Sequence, residues 1–120
     1  MTTVSSEPEM LVVAFDVARR LKDYGSYGGS EAKACKAISR RSVGFQSQQY
    51  EDALFKAVRL YEVTDELVER YKEQLWRTYE TPQGLDVTDI LEEAERLCPG
   101  FSASTYNSAI WWLFFWHHLK

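Results

Sequence analysis

Hydrophobic residues recur along most of this chain at intervals of three or four positions, the spacing that places them on one face of an α-helix. In the first such stretch, Leu11, Ala14, Phe15, Ala18 and Leu21 follow this spacing. Five further stretches show the same periodicity, and polar or glycine-containing segments separate them. The pattern predicts helices at residues 7–24, 31–41, 47–62, 65–79, 87–97 and 103–119.

Short polar residues at the start of these stretches indicate where the helices begin. Ser6, followed by Glu9 three positions later, has the sequence of a capping box. Gly25 is expected to end the first helix, because glycine readily takes the left-handed conformation that closes a helix. Similar starts are predicted at Ser30, Thr64, Asp86 and Ser102. We therefore expect an all-α fold, a compact bundle of about six helices in a single domain over residues 1–120, with residues 1–5 disordered.

The last predicted helix contains eight consecutive apolar residues, 109–116, which include three of the four tryptophans. A helix that is apolar nearly all round is usually buried, so this Trp-rich helix is placed at the centre of the bundle. Seven large side chains on consecutive residues cannot all face one side, and some are expected to remain uncovered for a second copy or a protein partner. Insertion at a membrane interface is a third alternative, although the lysines and arginines typical of such helices are lacking.

Two stretches of the chain resemble each other at an offset of 56 residues, measured from Phe45 to Phe101. Each has a short helix, a Gly-Phe turn, and a longer aromatic-rich helix with a tyrosine five positions after the phenylalanine. The glycines, Gly44 and Gly100, lie where a helix end uses a left-handed residue. The stretches indicate either a helix-turn-helix pseudo-repeat or chance convergence on a common turn.

The first Gly-Phe turn also resembles the helix-turn-helix motif of DNA-binding proteins, in which a glycine lies in a turn flanked by apolar residues. Residues 43–45 followed by Tyr50 carry this resemblance. It implies a DNA-binding or transcription-associated protein that uses residues 40–54. The chain departs from this function at Glu51 and Asp52, because phosphate would repel carboxylates in the recognition helix.

Charge and composition narrow the classes of partner. Apolar residues make up 45% and charged residues 27% of the chain, which is ordinary for a globular domain. The net charge of −4 lacks the basic excess of general nucleic-acid binders, so we expect neither a nucleic acid nor a membrane as partner. One basic segment, residues 25–50, is either a solvated surface or a contact for an acidic partner. Its candidate partner-binding residues are Lys33, Lys36, Arg40 and Arg41.

The residues that carry catalytic or metal chemistry are sparse. The only histidines, His117 and His118, are adjacent and point about 100° apart on a helix, so they cannot bind one metal together. Asp16 interrupts an apolar stretch and lies either on the outer side of its helix or in the core. If it is buried it needs a partner such as Arg59 or Tyr61, and a raised pKa would then mark it as a candidate functional residue. Cysteines 35 and 98 lack metal-type spacing. Reduced thiols, no secretory signal and a cytoplasmic location are expected.

These observations favour a non-catalytic protein-interaction or regulatory module that binds a protein partner or forms a homodimer. No catalytic residue, cofactor or metal site is predicted. The candidate partner-binding residues of the last helix are Trp111, Trp112, Phe115 and Trp116. Two alternative hypotheses stay open. One is a DNA-binding protein that uses residues 40–54, and the other is a small ligand-binding protein or enzyme with an aromatic-lined pocket near Tyr61, Tyr106 and Trp111.

Overall fold

A computed structural model describes residues 6–80 and 87–119, with side chains up to residue 118. Within these ranges every regular element is helical and no strand occurs, which confirms the predicted all-α fold. The described α-helices are α1 (Glu7–Tyr24), α2 (Glu31–Arg41), α3 (Ser47–Arg70), α4 (Lys72–Glu80), α5 (Thr88–Leu97) and α6 (Ala103–Phe114). A 3-10 turn (Ser26–Gly29) joins α1 to α2, and a π-helical turn (Phe115–Leu119) follows α6.

The chain forms two compact units that divide within α3, between Tyr61 and Glu62. Unit 1 contains α1, α2 and the first part of α3, and unit 2 contains the rest of α3 with α4, α5 and α6. The single domain over residues 1–120 stays a prediction. The expected disorder of residues 1–5 and the expected cap at residue 86 lie outside the described residues.

Three of the predicted helix starts are confirmed by their hydrogen bonds. The hydroxyl of Ser6 accepts the backbone N–H of Glu9 at 3.3 Å, and that of Ser30 accepts from Lys33 at 3.3 Å. Ser102 caps α6 in the same way. At the other end of α1, Gly25 has φ 63° and ends the helix in the left-handed conformation. Local side-chain chemistry therefore fixes these ends independently of tertiary packing.

The predicted break between helices 47–62 and 65–79 is wrong. The helix α3 runs without interruption from Ser47 to Arg70, and the break comes one residue before α4, at Tyr71. Thr64, the expected cap, is fully buried in mid-helix, and its hydroxyl has no hydrogen-bond partner among the described residues. Burial of the flanking apolar residues Leu60 and Leu67 keeps this segment helical, because packing outweighs the weak capping preference of a single threonine.

The predicted helix 103–119 has the correct position, but its last five residues are not α-helical. The α-helix ends at Phe114, and residues 115–119 form the π-helical turn. The backbone N–H of Phe115 is shared between the carbonyls of Trp111 and Trp112, where the helix begins to widen. Before this point α6 provides much of the core of unit 2, with Tyr106, Ile110, Leu113 and Phe114 each at most 2% exposed.

The Gly-Phe turns of the two units have the same geometry. In unit 1 the hydroxyl of Tyr50 donates to the carbonyl oxygen of Ser42 at 2.6 Å and accepts the backbone N–H of Phe45 at 3.2 Å. The Phe45 and Tyr50 rings also meet edge to face, with centroids 5.9 Å apart. One tyrosine thus closes the turn between α2 and α3.

In unit 2 the hydroxyl of Tyr106 donates to the carbonyl oxygen of Cys98 at 2.7 Å and accepts the backbone N–H of Phe101 at 3.3 Å. The rings of Phe101 and Tyr106 meet edge to face at 6.0 Å. The glycines that precede the phenylalanines have φ 104° (Gly44) and 110° (Gly100), a range open mainly to glycine. The internal resemblance in sequence therefore corresponds to the same turn geometry in both units, and a repeat of whole helix pairs stays a prediction.

Candidate functional site

The four basic residues predicted to bind a partner all lie on α2 with exposed side chains. Arg41 is engaged within the unit, because its Nη1 donates to Oδ2 of Asp16 at 2.6 Å. The side chains of Lys33, Lys36 and Arg40 form no ion pair with the carboxylates of the described part of unit 1. The structure thus leaves three of the four predicted residues as a solvent-facing cationic surface.

Asp16 has a structural role that differs from the one expected of it. The carboxylate is half-buried and pairs with Arg19 at 2.7 Å and Arg41 at 2.6 Å, with Arg20 nearby at 3.3 Å. Burial by itself raises the pKa of Asp16, but the hydrogen bonds from Arg41 and Arg19 and the charge of Arg20 outweigh it and lower that pKa. Asp16 therefore lacks the raised pKa that would mark a functional carboxylate, and it links α1 to α2 by ion pairs with arginines other than the suggested Arg59.

We expect Asp16→Asn to change how the stability of the protein depends on pH. Because the folded-state pKa is lowered, the stabilisation from this carboxylate is present above its usual pKa near 4 and is lost as the pH falls through the folded-state value. Urea denaturation at pH 6 should show the variant less stable by up to about 1 kcal/mol, since the group is partly exposed. At pH 2 the difference should vanish. An equal difference at both pH values would contradict this role, and Glu92→Gln on the exposed face of α5 is the control.

The aromatic residues predicted for partner binding lie together in unit 2. Trp111 meets Phe114 edge to face at 5.7 Å, and Trp112 stacks on Trp116 with centroids 6.0 Å apart and planes 18° apart. The three tryptophans are half-buried, whereas Phe115 is 47% exposed. Sequence reasoning thus found an aromatic surface, of which Phe115 is the most accessible member.

An exposed partner for Phe115 comes from α4. Tyr79 is 52% exposed and meets the Phe115 ring edge to face at 5.9 Å. Tyr79 and Phe115 thus form an exposed aromatic pair at the ends of α4 and α6.

Phe114 connects this exposed pair to the histidines. Its ring is fully buried and lies 5.1 Å from Trp76, 6.4 Å from Tyr79 and 5.7 Å from the imidazole of His118. The π-helical turn gives His118 this position while Phe115 stays at the surface. Inserted π-helical turns occur frequently at functional sites, where they change the direction of side chains.

Beside His118 lies an open cleft of about 710 Å³ between α3 and the π-helical turn. Its walls are Asp65, Glu66, Glu69, Arg70, His117 and His118. Nε2 of His117 is 3.2 Å from Oδ1 of Asp65, and Nε2 of His118 is 3.5 Å from Oε2 of Glu69. Each histidine therefore faces its own carboxylate, as their divergent directions on the helix require. We call this cleft together with Tyr79 and Phe115 the acidic–aromatic face.

An ion-pair network joins the α3 wall of the cleft to α5. Arg70 bridges Glu66 and Glu93, with both nitrogen–oxygen distances at 2.8 Å, and so joins α3 to α5. The hydroxyl of Tyr71 donates to the other oxygen of Glu93 at 2.7 Å, and this bond to a carboxylate raises the pKa of Tyr71. Of the cleft carboxylates, Glu66 is therefore held by Arg70, while Asp65 faces an imidazole.

Comparison with known proteins gives this chain no family. No protein-family model matches it, and no curated protein or solved structure matches it significantly. The function must therefore be argued from the geometry of its own residues.

The described residues contain no group of three or more His, Cys, Asp or Glu side chains arranged to hold a metal ion. Nor is any helix in these parts of the chain long and apolar enough to cross a membrane. Neither Cys35 nor Cys98 forms a disulfide. Burial, followed by the charges of Glu51 and Glu31, raises the pKa of Cys35. A raised pKa disfavours the thiolate, so Cys35 is a poor nucleophile.

The structure also describes the residues on which the DNA-binding and the ligand-pocket alternatives depend. Glu51 and Asp52 lie exposed in the first turns of α3, where a DNA-binding helix would face phosphate. Tyr106, suggested as part of a ligand pocket, uses its hydroxyl to close the Gly-Phe turn, and Tyr61 donates to the carboxylate of Asp23. The structure gives neither alternative an additional supporting observation.

Sequence reasoning missed the carboxylate half of the acidic–aromatic face. Asp65 and Glu69 lie four residues apart on the exposed side of α3, a spacing that the sequence does show. Nothing in that spacing indicates that His117 and His118, about 50 residues away, pack against them, because this contact depends on how α6 lies on α3.

Proposed function

We propose that this protein is a non-catalytic protein-interaction module, and that its acidic–aromatic face binds a basic segment of a protein partner. The observation that carries the proposal is the exposed pair Tyr79 and Phe115, which the buried ring of Phe114 connects to the cleft histidine His118. Large aromatic side chains are enriched at the energetic centres of protein interfaces, and charged residues usually form the rim around them. We assign the rim to the exposed cleft carboxylates Asp65 and Glu69.

A cationic partner is favoured by the charge of unit 2. Residues 62–120 contain eleven aspartates and glutamates against five lysines and arginines, which gives a net charge of −6. Lysine or arginine side chains would bind the exposed carboxylates of the cleft favourably, because hydrogen bonds between two charged groups are among the strongest in proteins. The stems of such side chains can also pack on aromatic rings, which attract the cation electrostatically.

The absence of a disulfide at either cysteine favours a reducing compartment, and we propose the cytoplasm as the place of action. Cys98 is buried near the Gly-Phe turn of unit 2 and Cys35 is half-buried on α2. Cysteines that form no disulfide are typical of proteins in compartments that keep thiols reduced.

The proposal is tested by titrating the protein with two synthetic amphipathic helical peptides, one of leucine and lysine and one of leucine and glutamate. Binding is followed by the intrinsic fluorescence of the half-buried tryptophans, including Trp112 and Trp116. We expect the lysine peptide to bind and the glutamate peptide not to bind. The substitution Phe115→Ser should weaken binding of the lysine peptide by about tenfold or more, because it removes an aromatic side chain from the centre of the interface.

Phe55→Ser is the matched control, because Phe55 is 74% exposed and lies on unit 1, outside the acidic–aromatic face. Its removal should leave peptide affinity unchanged. If both peptides bind equally, or if the Phe115 and Phe55 variants lose affinity to the same extent, the binding is non-specific and the proposal fails.

A further inference from the structure

We infer that the basic segment bound by the acidic–aromatic face is α2 of a second copy of this chain. The inference rests on the proposed function and names its partner. It is carried by two stripes of opposite charge, one on α2 and one on α3, that have the same residue spacing. Both stripes are exposed in the structure.

The basic stripe consists of Lys33, Lys36 and Arg40, at helix positions i, i+3 and i+7. This spacing places the three side chains within about 60° of one another on the helix and along about 10 Å of its axis. Buried Ala34 and Ile38 hold the opposite face of α2 in the core of unit 1, so the stripe must face outward. Three cations on a fixed helix, without a carboxylate partner among residues 6–61 of their own unit, form a surface that favours an anionic ligand.

The acidic stripe consists of Glu62, Asp65 and Glu69 on the unit 2 part of α3. Its spacing is again i, i+3 and i+7, and all three residues are exposed. The partners of Asp65 and Glu69 across the cleft are the imidazoles of His117 and His118, and Glu69 is also 3.1 Å from Nζ of Lys72. The two stripes therefore match in length, in spacing and in opposite charge.

The matching also indicates a direction for the two helices. When α2 and α3 run in the same direction, Lys36 lies opposite Asp65. When they run in opposite directions, Lys36 lies opposite Glu66 instead, and that carboxylate is already paired with Arg70 at 2.8 Å. The same-direction arrangement leaves the Arg70 bridge intact, so we assign it.

The net charges of the two units agree with this arrangement. Residues 1–61 contain nine lysines and arginines against seven aspartates and glutamates, a net charge of +2, whereas residues 62–120 carry −6. Such opposite charges on separate parts of one chain attract a second copy and speed its encounter, and salt screens this attraction.

The test is sedimentation velocity over a concentration series up to the high micromolar range, at low and at high salt. We expect the wild-type protein to self-associate reversibly, and the association to weaken as salt is raised. We expect two variants to self-associate at least about tenfold more weakly than the wild type, because like charges then face each other. They are the basic-stripe variant (Lys33→Glu, Lys36→Glu, Arg40→Glu) and the acidic-stripe variant (Glu62→Lys, Asp65→Lys, Glu69→Lys).

An equimolar mixture of the two variants should associate again, because each then carries the charge that the other requires. A control with Glu92→Lys and Glu95→Lys, exposed on α5 and outside the stripe, should associate like the wild type. Since Asp65 and Glu69 contact histidines, circular dichroism must show that the acidic-stripe variant is folded. The single change Glu62→Lys gives a milder second variant, which should weaken association in the same direction.

A wild-type protein that stays monomeric over the whole series overturns the inference, as does self-association that neither variant weakens or that the mixture fails to restore. These outcomes leave the proposed function standing wherever the leucine–lysine peptide still binds and Phe115→Ser still weakens it. Loss of peptide binding, by contrast, removes the proposed function whatever the oligomeric state. Weakening by Glu66→Lys but not by Asp65→Lys would overturn the same-direction arrangement.

Discussion

Replacing Phe114 by alanine is expected to lower the free energy of unfolding by about 3–5 kcal/mol, the largest effect of any single change considered for this protein. The side chain is fully buried, and its ring contacts Trp76, Trp111, Tyr79 and His118. Truncation removes this apolar surface from the core and leaves a cavity that the surrounding rings can fill only in part. The change should also loosen the π-helical turn that begins at the next residue.

Urea denaturation followed by circular dichroism measures this effect, and tryptophan fluorescence reports on unit 2, which contains all four tryptophans. The control is Phe55→Ala, which removes an equal side chain that is 74% exposed, and it should change stability by less than about 0.5 kcal/mol. A loss of less than about 1 kcal/mol for Phe114→Ala would mean that the aromatic cluster does not hold unit 2 together.

Removing the hydroxyl of Tyr106 by substitution with phenylalanine should cost about 1–3 kcal/mol. The ring would keep its contact with Phe101, but the carbonyl of Cys98 would lose its donor and the backbone N–H of Phe101 would lose its acceptor. The side chain is 2% exposed, so water cannot easily replace the lost hydroxyl. The cost therefore comes mainly from leaving buried backbone groups without partners.

The repeat supplies a second measurement of the same interaction. Tyr50→Phe removes the matching hydroxyl from unit 1, at 2.6 Å from the carbonyl of Ser42, and should cost a similar amount. Tyr79→Phe is the control, because the described structure gives that exposed hydroxyl no hydrogen bond, and its stability should be nearly unchanged. If all three changes have equal effects, the tyrosines do not act by closing the Gly-Phe turns.

The two proposals concerning function rest on different properties of the same surface. Binding of a basic segment requires the exposed aromatic pair Tyr79 and Phe115, whereas self-association requires that the charges on α2 and α3 match. Phe115 and the α2 cations were predicted from sequence, and Tyr79 and the α3 carboxylates come from the structure. The substitutions in the two experiments therefore address separate residues, and the self-association proposal can fail while the proposed function stands.

The sequence by itself determined the features that depend on near neighbours. Periodicity gave the all-α class and the positions of most helices. Ser6, Ser30 and Ser102 indicated three helix starts, since a capping hydroxyl bonds a backbone N–H only three residues away. The two Gly-Phe turns were recognised as similar for the same reason. Their closing tyrosines lie only five residues after the phenylalanines.

Only the tertiary structure decided the features that join distant parts of the chain. Thr64 looked like a helix start, but burial of its neighbours continues α3 through it. Asp16 finds a guanidinium 25 residues away, which lowers its pKa instead of raising it. The histidines of the π-helical turn that follows α6 meet carboxylates of α3, which lie far from them in the chain. Local hydrogen bonds are encoded in adjacent residues, whereas exposure and charge pairing depend on which surfaces the packing of whole helices leaves uncovered.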